Sequence, residues 1–225
     1  MTQGYYSEKL SAERLRACYD LAPPRTKAYL EAEIGFVLER ASPHMRALEL
    51  GCGYGRVLKR LADRTQAVIG IDTSVASLQM ARESLGNIRS LHVAAMDAVC
   101  MGFSDRTFDI TICIQNGISA FHVDRQRLLA EAARVTKSGG IVLFSSYSSR
   151  FWTPRLEWFE VQAAHGLVGE IDYEATGNGV IACKDGFCAT AIGEEEFRAL
   201  AANVGLVPKI TEVDSSSLFC EIVVP

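Results

Sequence analysis

The stretch Ala47-Leu48-Glu49-Leu50-Gly51-Cys52-Gly53-Tyr54-Gly55-Arg56 constrains the fold more than any other part of the chain. A short apolar strand runs into glycines at alternate positions, and an amphipathic helix follows at once. Glycine has no side chain to hold a ligand off the backbone and adopts turn angles that other residues avoid. The first turn of the helix leaves amide N–H groups unpaired, which suits polar or anionic ligand groups. Alone, a strand, a glycine loop and a helix are a weak sign of a nucleotide-type site. Two acids further along, Asp72 and Asp97, strengthen it.

Around this stretch the apolar periodicity alternates. A helix is expected from Ser7 to about Ala22, stopped by Pro23-Pro24, which also opens the next helix. Leu30, Ile34, Val37, Leu38 and Ala41 form the buried face of that second helix, and Pro43 ends it. Strands are expected at Arg46–Leu50, Ala67–Asp72, Ile88–Ala94, Phe108–Ile114 and Ile141–Ser146. The intervening helices are Tyr54–Asp63, Ser74–Leu85 (capped by Thr73 or Ser74) and Asp124–Lys137. Such βα alternation implies an α/β, Rossmann-like doubly wound sheet covered by helices on both faces.

After Ser146 the pattern changes. Tyr147–Arg155 reads as a polar and aromatic loop and Leu156–His165 as helical. Ile171–Ile192 reads as a β-hairpin insertion with turns at Gly177-Asn178-Gly179 and Lys184-Asp185-Gly186. A helix at Glu194–Val204 and strands at Leu206–Val213 and Leu218–Val224 complete the chain. No repeat or linker divides the 225 residues, so one domain is expected over 1–225, with 1–43 as an N-terminal helical cap and 147–192 as the insertion.

A formal charge of −4 without a dense basic block disfavours nucleic acid as a partner. The 7 cysteines are scattered and form no CxxC pair, so they read as core thiols, and no metal is expected. No signal region or membrane-length apolar run is evident, which points to the cytoplasm and to no membrane partner. Oligomeric state is left open.

The glycine loop, Gly51-x-Gly53-x-Gly55, lacks the GxGxxG spacing of dinucleotide-binding loops. Gly70-Ile71-Asp72 places a carboxylate at the C-terminal edge of the second strand, where ligands bind in open α/β sheets. Its two acceptor oxygens suit the two hydroxyls of a ribose, although an acid there also suits a helix cap. Asp97, after the third strand, suits an exocyclic amine such as that of adenine, with Met96 and Ala98 able to flank a flat ring.

Taken in order, these segments resemble the class I S-adenosylmethionine-dependent methyltransferases, particularly the small-molecule type. Glu49–Gly55 is similar to the family's first motif, Gly70-Ile71-Asp72 to its second and Met96-Asp97-Ala98 to its adenine-binding motif. Phe108-Asp109-Ile110 through Gln115-Asn116 is similar to the strand-four motif, and Ser138-Gly139-Gly140-Ile141 to the turn before strand five. The resemblance implies a mostly parallel seven-stranded sheet with an antiparallel last strand. It implies S-adenosyl-L-methionine as cofactor, S-adenosyl-L-homocysteine as product, and Glu49, Gly51, Cys52, Gly53, Asp72, Thr73, Met96, Asp97, Ala98 and Gln115 around the cofactor. In such relatives the first helix often folds over the cofactor as a lid, and the acceptor pocket is often built after strand five. Tyr6, Asn116, Tyr147 and Trp152 are the candidate acceptor contacts, and Trp158 and Phe159 either join them or pack beneath the hairpin.

A sulfonium methyl is already electrophilic, so a general base is optional; His122, His165 and Tyr147 are the candidates. Gln115-Asn116-Gly117-Ile118 differs from the Asn/Asp-Pro-Pro-Tyr motif for a flipped base, and no Pro-Cys pair exists, so a small-molecule acceptor, through N, O or S, leads. A catalytically silent cofactor-binding protein and a methyltransferase acting on a macromolecule are the alternatives.

Overall fold

The computed structural model describes Tyr5 and residues 9–225. Helices α1 (Ala12–Asp20) and α2 (Pro24–Leu38) precede β1 (Arg46–Leu50), α3 (Arg56–Ala62), β2 (Ala67–Asp72), α4 (Val75–Leu85), β3 (Leu91–Ala95) and β4 (Phe108–Cys113). A single turn, α5 (Gly117–Ala120), leads to α6 (Arg125–Val135) and the long β5 (Thr136–Tyr147). After a 3-10 turn come α7 (Trp152–Ala164), β6 (Val180–Ala182), β7 (Cys188–Thr190), α8 (Glu194–Asn203), β8 (Pro208–Val213) and β9 (Ser217–Val223).

The main sheet has 7 strands in the order β3-β2-β1-β4-β5-β9-β8. The pairs β1–β2, β1–β4, β2–β3 and β4–β5 are parallel, and β9 runs antiparallel to both of its neighbours. This is the architecture the resemblance implied. Alternation along β1 explains the layering: Ala47 joins one core with Ile34 and Val37 of α2, Leu58 of α3 and Leu78 of α4, while Leu48 and Leu50 join the other with Leu128 of α6 and Phe197 of α8. Each such buried aliphatic or aromatic side chain contributes about 1.5–3 kcal/mol over its exposed state.

Ser74 and Asp124 accept amide N–H groups at the starts of α4 and α6, which is why those helices begin where they do. The segment after β5 departs from expectation. Residues 147–155 are not a loop: β5 runs through Tyr147, Ser149–Phe151 is a 3-10 turn, and α7 starts at Trp152. Pro154 falls in the first turn of α7, where a missing N–H costs nothing, so it opens the helix rather than preceding it. The hairpin is present as the β6–β7 pair, turned at Gly186, whose φ is +92°. The start of the expected first helix, at Ser7, lies outside the described residues; α1 begins at Ala12.

The cap is fastened on two sides. The Ala12 amide donates to Ser77 Oγ of α4 at 2.9 Å. On the other side, Arg14 Nη2 donates to the carbonyls of Gly166 and Leu167 at 2.8 and 2.9 Å. Trp158 Nε1 donates to the Cys18 carbonyl at 2.8 Å, and Tyr5 OH donates to Asp185 at 2.7 Å. Segments far apart in sequence thereby close over the C-terminal edge of the sheet.

Gly55, which caps α3, has φ +87°, and a Cβ there would lie 2.6 Å from Leu85 Cδ1. Gly55→Ala is expected to cost about 1–3 kcal/mol from the left-handed conformation alone, read as a lowered midpoint in chemical denaturation.

Candidate active site

A cavity of about 420 Å³ opens at the C-terminal edge of β1, β2 and β4 beneath the cap. It brings together Glu49, Gly51, Cys52, Gly53, Asp72, Thr73, Met96, Asp97, Ala98 and Gln115, as well as His122 and Tyr147. The loop after β1 is held by its neighbour strand: the amides of Gly51 and Cys52 both donate to the Ile71 carbonyl, at 2.8 and 3.0 Å. The Gly53 amide donates to Asp72 Oδ2 at 2.8 Å, and the other Asp72 oxygen accepts the Ser74 amide at 2.8 Å. Asp72 therefore lines the cavity and also secures the loop and the start of α4. Burial raises its pKa, and these backbone donors oppose the rise. Asp97 is exposed and accepts the Val99 amide at 3.0 Å.

Glu49 is buried, and its Oε2 has no hydrogen-bond partner. Burial pushes its carboxyl up to about 8; the guanidinium of Arg56 pulls it down and Asp72 adds to the rise. Arg56, the first residue of α3, was not singled out from the sequence, yet it lines the same cavity with Nε and Nη2 unpaired. Its place directly after the glycine loop was the available signal. Gln115, with Nε2 unpaired, is the third such residue at this wall. A cavity bordered by unpaired polar atoms of a carboxyl, a guanidinium and an amide fits an amino-acid-like ligand carrying both an ammonium and a carboxylate.

The turn after β4 is conformationally unusual. Gln115 and Asn116 both adopt left-handed backbone, with φ +56° and +64°. Glu33 of α2, completely buried, holds this turn: its Oε2 accepts the Gln115 amide at 2.6 Å and Ser145 Oγ at 2.9 Å, and its Oε1 accepts Ser217 Oγ at 2.5 Å. Burial lifts Glu33 to about 7 against the pull of those donors. Phe121 packs on Gly51 so closely that a Cβ there would sit 2.4 Å from its ring.

Other sequence candidates sit elsewhere. Asn116 is buried, donating to the Thr190 carbonyl at 2.9 Å and accepting from Ser146 Oγ at 2.8 Å, so its amide braces β7 against β5 and does not line the cavity. His165 ends α7 with Nδ1 2.8 Å from the Val161 carbonyl, away from the cavity. Trp152 packs in the cluster of Phe159, Leu167 and Phe187 instead. Tyr6 lies outside the described residues. His122 lines the cavity, and burial first, then Arg125, lowers its pKa.

The far wall comes from outside the glycine-loop region: Tyr19 of α1, Tyr29 of α2, Tyr147 at the end of β5, and Trp158, Phe159 and Gln162 of α7. Phe159 serves both expected roles, since it also packs beneath the hairpin against Phe187, with ring centroids 5.5 Å apart. Among the described residues no cluster of His, Cys, Asp and Glu could hold a metal ion, and no helix is long and apolar enough to cross a membrane.

Residues 47–140 match the family described as "Methyltransferase domain". The chain is 28% identical over 137 residues to 2-methyl-6-phytyl-1,4-hydroquinone methyltransferase of Synechocystis sp., covering 57% of this chain and 42% of that protein. It is 35% identical over 103 residues to demethylmenaquinone methyltransferase of Thermobifida fusca, covering 45% and 43% respectively. The chain thus spans less than half the length of these curated relatives. Among solved structures, the N-methyltransferase NodS from Bradyrhizobium japonicum, in complex with S-adenosyl-L-homocysteine, superposes with a TM-score of 0.65 at 14% identity, covering 100% of this chain and 98% of that one. The family match is confined to residues 47–140, and the superposition shows that the fold around that segment is shared with the solved structure.

Proposed function

We propose that this protein binds S-adenosyl-L-methionine in the cavity above β1–β4 and transfers its methyl group to an N, O or S atom of a small molecule. The observation that carries the reading is the set of unpaired polar atoms on Glu49, Arg56 and Gln115 at one wall of that cavity. When bound, the cofactor supplies an electrophilic methyl on a sulfonium and leaves as S-adenosyl-L-homocysteine.

In this reading Glu49 takes the ammonium and Arg56 the carboxylate of the amino-acid part, while Gly51, Cys52 and Gly53 let it approach their backbone. Asp72 and Thr73 face the ribose hydroxyls. Asp97 receives the adenine amine between Met96 and Ala98. Gln115, fixed by the Glu33-held turn, faces the amino-acid part. The chain's own contribution to rate is orientation and exclusion of water, which in well-oriented reactions supplies about 7–11 kcal/mol. Residues 1–43 act as the cap, and the 147–192 segment supplies much of the acceptor wall, through Tyr147, Trp158, Phe159 and Gln162. His122 lines the cavity, where burial first and then Arg125 disfavour its charged form; burial keeps Tyr147 protonated, which makes it a donor rather than a base.

Two outcomes test the cofactor site. Asp72→Ala is expected to weaken S-adenosyl-L-homocysteine binding about tenfold or more, the scale of one charge-assisted hydrogen bond; unchanged affinity in calorimetry contradicts the site. The second concerns protons. With its carboxyl near 8, Glu49 is mostly protonated at pH 7 in the free protein. A ligand ammonium favours the ionised form, so binding is expected to release a proton between the ordinary glutamate value and about 8. Calorimetry at pH 7 in buffers of different ionisation enthalpy reads that release, and Glu49→Gln is expected to abolish it.

A further inference from the structure

The cavity is divided by charge. Its charged or titrating side chains, Glu49, Arg56, Asp72, Asp97 and His122, all come from the ends of β1–β3, the start of α3 and the loop after α5. The other wall, built by Tyr19, Tyr29, Tyr147, Trp158, Phe159 and Gln162, has no charged side chain. Its polar groups are three phenols and one amide, because the Trp158 N–H is already given to the Cys18 carbonyl.

The cations nearest this wall are directed elsewhere. Arg155 is buried behind Tyr147, its guanidinium 4.3 Å from the ring centroid, and donates to the carbonyls of Gly179 and Ala189 at 2.9 and 2.8 Å. Arg56, whose guanidinium lies 4.6 Å from the centroid of Tyr19, is the cation that the cofactor reading gives to the cofactor's own carboxylate. An anionic group placed among the rings would lose its hydration without a cation of its own, which is strongly unfavourable. A cationic group fares no better. Aromatic faces attract cations, but Tyr19 and Tyr147 each already carry a guanidinium on a face, and a further positive charge would meet those two. Glu33, the buried acid behind this wall, does not line the cavity and has both oxygens taken by three donors.

We propose that this chamber is the acceptor subsite and that it takes an uncharged, ring-bearing molecule, selected against both carboxylates and ammonium groups. The proposal rests on the methyltransferase reading and names the substrate class of that same site. The rings of Trp158 and Phe159 supply flat apolar contact, and the Tyr19, Tyr29 and Tyr147 hydroxyls and the Gln162 amide orient the acceptor's polar substituent.

The test uses the full chain and three probes of one size: benzyl alcohol, benzoate and benzylammonium. Their dissociation constants are measured by ligand-observed NMR at pH 7, with and without saturating S-adenosyl-L-homocysteine. The expected result is that benzyl alcohol binds about tenfold or more tightly than either ion. Gln162→Lys, with folding checked by its thermal midpoint, is expected to shift the preference toward benzoate, which places the probes in this chamber; if that variant does not fold, displacement of benzyl alcohol signals from the Trp158 indole by nuclear Overhauser contacts in the wild type locates them. Equal or tighter binding of benzoate or benzylammonium, binding of none of the three, or contacts elsewhere on the surface overturns the proposal. Failure of S-adenosyl-L-homocysteine itself to bind overturns the cofactor reading separately, because the probe series is also read without it.

Discussion

The site depends on a short backbone exchange between two adjacent strand ends. The Ile71 carbonyl accepts the amides of both Gly51 and Cys52, and an Asp72 carboxylate oxygen accepts the Gly53 amide. These bonds fix the loop after β1 in a conformation with positive φ at Gly51, Gly53 and Gly55, and the start of α3 follows from it. The parallel register Leu50↔Ile71 makes the exchange possible, since it sets the two strand ends level at the sheet's edge. The floor of the cavity is therefore a consequence of sheet register, and side chains are added to it.

A second constraint ties the cap to that floor. Glu33 is a buried acid on a helix that precedes the sheet, yet its three hydrogen bonds reach the turn after β4, the interior of β5 and the start of β9. A buried carboxylate is costly unless donors surround it. Here the donors are the Gln115 amide and two serine hydroxyls, and the arrangement holds two consecutive non-glycine residues in left-handed backbone. Strain of that kind costs about 1–3 kcal/mol per residue and persists only where surrounding contacts dictate it. One side chain thus ties α2 to the turn after β4, to β5 and to β9.

Much of this was legible in the residues. Apolar periodicity located every strand of the main sheet, and the edge rule placed Asp72 and Asp97 at the cavity, because both depend on local spacing. The misreadings came from long-range partners. Pro154 looked like a loop residue because its position within the first turn of α7 depends on where β5 ends. Asn116 looked ligand-facing because its place after β4 is suggestive, whereas Thr190 and Ser146, distant in sequence, consume its amide. Glu33 gave no signal at all: an acid on an amphipathic helix reads as a solvated face until Ser145 and Ser217 are seen against it. Arg56 is the converse case: a basic residue after a glycine loop reads as an ordinary helix start until Glu49 is seen buried with its Oε2 unpaired.

The division of the cavity also follows the chain. Glu49, Arg56, Asp72, Asp97, Gln115 and His122 all fall within the segment 47–140 that matches the methyltransferase-domain family. Tyr19, Tyr29, Tyr147, Trp158, Phe159 and Gln162 all fall outside it, before or after. The half whose chemistry is common to a family sits on strand ends that the sheet itself positions. The other half is carried by the N-terminal helices and by the end of β5 and α7, outside the matched segment. That separation is why the motifs reach the first half, whereas in the second only Tyr147, Trp158 and Phe159 stand out from the sequence, and Tyr19, Tyr29 and Gln162 do not.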